Sequence, residues 1–77
     1  MGTSPKKLDK VALGNEIKRI RKSKNLTQDD VAAAFSWHKQ IVSDIETGKA
    51  QSLEKIMLLS DYFGVSLDSF KEIALTP

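Results

Sequence analysis

Apolar residues recur along this 77-residue chain at the period of an α-helix, and the pattern breaks at Asn25, Gly48 and Gly64. That combination restricts the chain to a set of short helices joined by tight turns. Leu13, Ile17 and Ile20 stand at i, i+4 and i+7, with Asp9 placed to cap the first helix and Asn25 able to end it in a left-handed conformation. Thr27 and Asp30 form a relative of the capping box before a second helix whose inner face is Val31, Ala32 and Phe35. A third helix is expected from about His38 to Thr47, with Val42 and Ile45 inward and Gly48 as its stop. Ser52 caps a fourth helix, expected to align Leu53, Ile56, Met57, Ser60 and Phe63 on one side before Gly64. Ser66 caps a fifth, with Leu67, Phe70 and Ile73. No alternating pattern signals a strand. The expected fold class is all-α, a compact five-helix bundle.

At this length one small core is possible, and too little chain remains to wall off a deep catalytic cleft. The chain has no cysteine, so neither a disulfide nor a thiolate metal site holds it together, and a lone histidine, His38, makes no metal site. No apolar run reaches the roughly 18 residues of a membrane span, and the polar start "MGTSPKKLDK" lacks the apolar centre of a secretory signal. A cytoplasmic protein without cofactor is expected, with residues 1–8 a flexible basic arm or an expression scar and 9–75 the folded domain. The net charge of +2 is uneven: residues 1–28 carry eight Lys/Arg against two acids, +6, and residues 29–77 four Lys against eight acids, −4. A basic amino-terminal half suits a phosphate-facing surface as well as a solvated helix face.

The stretch "LTQDDVAAAFSWHKQIVSDIETGK" resembles the helix-turn-helix of the phage repressor and Cro family, the xenobiotic-response-element type. "SLEKIMLLSDYFGVSLDSF" continues the resemblance into that family's last two helices, so it covers about residues 13–73. The residue types have physical reasons. A small residue, Ala32, suits the place where steeply crossed helices approach. At about 100° per residue, Gln40, Ser43, Asp44 and Thr47 gather on the face of the third helix opposite Val42 and Ile45.

The resemblance implies that this free face enters the major groove of double-stranded DNA. His38, Lys39, Gln40, Ser43 and Asp44 then face bases, with Gln40 suited to adenine and Asp44 to the amino group of cytosine. Gln28, Thr47, Lys49 and the backbone after Gly48 contact phosphates, and Arg21 and Glu46 form an ion pair between the first and third helices. Relatives dimerise through their last two helices. The apolar pair Leu58 and Tyr62 therefore has two readings, a homodimer interface on a near-palindromic operator or a wider core.

The sequence departs from the family at five places. Ser36 stands where the turn usually has glycine, and either takes a positive φ or caps the third helix early. Trp37 either packs over the corner of the two helices or stacks on nucleic acid. His38 is a poor N-cap, and "GKAQSL" is one residue short and lacks its proline. Asp44 puts a carboxylate on the reading face. The expected function is a transcriptional regulator, a repressor, rather than an enzyme. The competing reading is a protein-interaction module, such as an antitoxin, built on the same bundle.

Overall fold

The computed structural model describes residues 4–77, so the first three residues of the expected arm lie outside the described residues. Five helices follow in order: α1 (Lys10–Ser23), α2 (Gln28–Phe35), α3 (Lys39–Thr47), α4 (Leu53–Phe63) and α5 (Leu67–Ala74). Their ends are set by the residues that local chemistry singles out. Asp9 accepts from the Ala12 N–H at 2.9 Å, Ser52 from Lys55 at 3.2 Å and Ser66 from Asp68 at 3.1 Å. At α2 the box is complete: Thr27 Oγ1 accepts from the Asp30 N–H at 3.0 Å, and Asp30 Oδ2 accepts from the Thr27 N–H at 2.8 Å. Asn25, Ser36, Gly48 and Gly64 all take positive φ, closing α1 to α4.

The core is drawn from every helix: Leu13, Ile17 and Ile20 of α1, Val31 and Ala32 of α2, Val42 and Ile45 of α3, and Phe70 and Ala74 of α5. From α4 come Ile56, Leu59 and Phe63. Here the expected face is corrected. Leu53 is 70% and Met57 50% exposed, whereas Leu59 is 1% exposed. Apolar residues stand all round this helix, so its phase is fixed by the neighbours it meets rather than by its own pattern. In α5, Ile73 likewise turns outward and Ala74 inward.

Gly14 positions the first and third helices. A Cβ there would lie 2.6 Å from the Ile45 carbonyl oxygen and 2.7 Å from the Glu46 carbonyl carbon. Only a hydrogen fits, so α1 rests directly on the backbone of α3. Nothing local in the sequence marks this glycine, because the atoms that crowd it lie more than 30 residues away.

The basic arm is partly built into the fold. Lys7–Leu8 (β1) pairs antiparallel with Leu75–Thr76 (β2), Lys7 opposite Thr76 and Leu8 opposite Leu75. The Asp9 N–H extends the ladder to the Ala74 carbonyl at 2.6 Å. A ladder this short has no periodic signal in sequence, which is why none was expected. Among the described residues no helix is long and apolar enough to cross a membrane.

Candidate nucleic-acid interface

The turn between α2 and α3 decides how the two helices present themselves. Ser36 adopts φ 57° and ψ 37°, the left-handed region. Of the two readings of Ser36, positive φ holds, and His38 is the N-cap of α3, without a side-chain capping bond. The Trp37 N–H donates to the Ala32 carbonyl at 2.8 Å, tying the turn to the small residue at the crossing. The Trp37 ring stacks on Phe35 at 4.4 Å between centroids, and the Lys55 ammonium sits 5.8 Å over it. Trp37 thus packs over the corner and covers a turn that lacks the usual glycine.

α3 separates into two faces. Val42, Ile45 and Glu46 are buried, whereas Gln40 and Thr47 are exposed and Ser43 and Asp44 half-buried. Gln40 Nε2 donates to Asp44 Oδ1 at 2.8 Å, one turn along the helix. Lys39 is exposed at the start of α3 and lies 3.8 Å from the Asp29 carboxylate of α2. A pair so open to water contributes little and leaves the ammonium free to exchange partners.

Arg21 and Glu46 meet as expected, both buried. Arg21 Nε donates to Glu46 Oε2 at 2.6 Å and Nη2 to Oε1 at 3.1 Å, a bidentate fork. Arg21 Nη1 donates to the Leu26 carbonyl at 2.7 Å, just before α2 begins. Gln28 Nε2 donates to Glu46 Oε1 at 3.0 Å. The Gln28 bond was not foreseen. One carboxylate therefore gathers α1, the entry to α2 and α3, and it orients the Gln28 amide at the positive end of α2.

The end of α3 modifies one expectation. Gly48 N–H donates to Ile45 O at 3.2 Å, and Lys49 and Ala50 N–H both donate to Asp44 O, at 2.9 and 3.3 Å. These backbone donors are already used, so they are not available to phosphates. The Thr47 hydroxyl donates to Ser43 O at 2.9 Å. Its oxygen only accepts until that bond is exchanged, and the Lys49 side chain of this loop is exposed. Gln51 Nε2 donates to Lys10 O at 2.8 Å and Ile45 O at 2.9 Å, fastening the shortened loop to α1 and α3.

Capping also shifts one carboxyl. The Thr27 N–H, and the Thr27 side chain after it, hold Asp30 below the usual aspartate range. On the exposed face of α1, the hydrogen bond from Arg19 lowers Glu16, at 2.7 Å to each carboxylate oxygen. Leu58 and Tyr62 of α4 are 39% and 42% exposed, and Tyr62 meets the Phe35 ring edge-on at 5.2 Å. Among the described residues no group of three or more His, Cys, Asp or Glu is arranged to hold a metal.

Two crossed helices, a tight turn and a polar free face on the second helix describe a helix-turn-helix, and the helix-turn-helix family model HTH_3 matches residues 17–70. The chain belongs to the Cro/C1-type helix-turn-helix family. With that family, it is a DNA-binding transcription regulator. The fold is similar to the restriction-modification controller protein C.AhdI from Aeromonas hydrophila, with TM-score 0.70 and 23% identity, covering 78% of this chain and 92% of that one. It is also similar to the DNA-binding domain of BldD, with TM-score 0.70 and 22% identity over 79% of this chain and 90% of that one. The S. venezulae BldD DNA-binding domain gives TM-score 0.68 at 24% identity, over 78% and 91%. No curated protein matches the chain.

Proposed function

We propose that this Cro/C1-type protein is a sequence-specific repressor that lays α3 in the major groove of a near-palindromic operator, as a homodimer. The observation that carries the reading is the free face of α3. Gln40, Ser43 and Asp44 stand clear of the core, while the buried Arg21–Glu46 fork holds the helix against α1. His38 and Lys39 flank the entry, where Lys39 serves a base or a phosphate. Gln28, Thr47 and Lys49 grip phosphates on either side, Thr47 after exchanging its bond to Ser43. Repression follows from occupying the promoter.

The dimer is supported by α4, whose Leu53, Met57, Leu58 and Tyr62 are 70%, 50%, 39% and 42% exposed. Leu53 and Met57 form one apolar strip and Leu58 and Tyr62 another on a different flank, and the second is the surface that association would bury. A two-fold dimer sets its reading helices about 34–36 Å apart, one turn of DNA.

Selection of bound duplexes from a random pool at moderate salt tests the proposal. Two inverted half-sites with centres one turn apart are expected. A pool that enriches no sequence would overturn it. The same exposed α4 also favours a second reading, a protein-interaction module such as an antitoxin. A stable complex with an unrelated protein, together with no salt-sensitive DNA binding, would select that reading instead.

A further inference from the structure

We infer that Asp44 is a positioning residue that fixes the Gln40 amide and thereby narrows the base read by Gln40 to adenine over guanine. The inference rests on the proposal that the free face of α3 enters the major groove.

The number of hydrogen bonds each group can make decides which base fits. A glutamine amide has two N–H donors and one carbonyl acceptor. Gln40 spends one donor on Asp44 Oδ1 at 2.8 Å. An ionised carboxylate only accepts, so turning the amide over would lose that bond and set two oxygens against each other. The i, i+4 spacing puts the partners on adjacent turns of one face, where such pairs form without disturbing the backbone. Among the described residues no cation pairs with Asp44, as the ion pairs lie elsewhere. The amide of Gln40 is therefore the donor that its carboxylate holds.

What Gln40 keeps is one donor and one acceptor. That is the complement of adenine, which presents the N7 acceptor beside the N6 donor. Guanine presents two acceptors, O6 and N7, and meeting both takes two donors. A free glutamine amide has two; the amide held by Asp44 has one. The carboxylate that looked out of place on a DNA-reading face thus removes the wrong base from its neighbour's repertoire, at the expense of some attraction to phosphates.

The test measures affinity for the selected duplex and its variants carrying each base pair at the position whose preference Gln40→Ala removes. The unmodified protein is expected to favour adenine over guanine there by roughly 5- to 150-fold. Asp44→Asn, which can offer Gln40 either a donor or an acceptor, is expected to bring that ratio down at least fivefold. Its thermal midpoint should be unchanged and its overall affinity higher. Asp44→Glu, which keeps an acceptor within one turn, should retain the preference. A merely structural role for Asp44 would move the midpoint, or shift affinity for all four bases with their ratios kept, and would overturn the inference. So would an unchanged ratio in Asp44→Asn when Gln40→Ala does alter the preference. Should Gln40→Ala leave the preference intact at every position, the proposed reading face itself fails.

Discussion

Replacing Gly14 by alanine turns on a contest of sign. In a helix interior, alanine is ordinarily better than glycine by about 0.5–1 kcal/mol, because glycine loses more backbone freedom on folding. At Gly14 the added Cβ would stand 2.6 Å from the Ile45 carbonyl oxygen. A carbon–oxygen contact settles at about 3.3 Å, and the Glu46 carbonyl oxygen lies closer still, so α1 must retreat by more than about 0.7 Å. The opposing atoms are backbone and cannot swing aside. A gap of that size forfeits about a quarter to a half of the dispersion energy of each contact it opens. Those contacts include Leu13 and Ile17, 5% and 1% exposed. Overpacking of this kind costs about 1–3 kcal/mol. The net effect is a loss on the order of 1–2 kcal/mol, or a fall of roughly 5–15 °C in Tm for a domain this small. Circular dichroism melts and urea titrations of the two proteins measure it. A Gly14→Ala protein that melts higher than its parent would refute the close approach of α1 to α3.

Other contacts of the fold carry their own expected outcomes. Glu46→Ala leaves the Arg21 guanidinium buried with the Leu26 carbonyl as its remaining partner, and should cost about 3–5 kcal/mol in urea unfolding. Arg21→Met combined with Glu46→Leu should recover most of that loss. Ser36→Gly relieves a positive φ and should stabilise by up to about 1 kcal/mol; a destabilised variant would show that the Ser36 side chain has a role of its own. Thr27→Ala removes the α2 cap, for a loss of about 1 kcal/mol. Because Asp30 titrates below its unfolded value, its stabilisation is present above the ordinary aspartate range and lost as pH falls through the lowered value. Asp30→Asn should therefore flatten the acid limb of the stability profile. Lys49→Ala should weaken binding to all sites alike and reduce the slope of log K against log salt by about one.

The parts of this fold that were legible in sequence are those with local causes. Thr27, Asp30, Ser52 and Ser66 bond to N–H groups two or three residues away, so their positions announce helix starts. Val42 and Ile45 stand on one face by helical period alone. The Arg21–Glu46 pair, 25 residues apart, was legible only through the family resemblance. What escaped reading depends on contacts between distant segments. Gly14 looks like an ordinary weak helix former until α3 is laid across it. Leu53 and Leu59 of α4 are chemically equal, and only the packing of α1 and α5 decides which is buried. The clasp joins Lys7 to Thr76 through two residues a side, too few for any pattern. At the site, the free face of α3 followed from periodicity. The bond from Gln40 to Asp44 and the grip of Glu46 on Gln28 depend on side-chain conformations that periodicity does not fix.

Amide chemical-shift mapping by NMR, as a selected operator duplex is titrated into the labelled protein, tests directly whether α3 reads DNA. The largest changes are expected on Gln28, on His38 to Asp44, and on Thr47 to Lys49, with the buried side of α3 following at smaller amplitude. Changes centred on Leu53 to Tyr62 of α4, with the free face of α3 silent, would show that α3 does not read DNA.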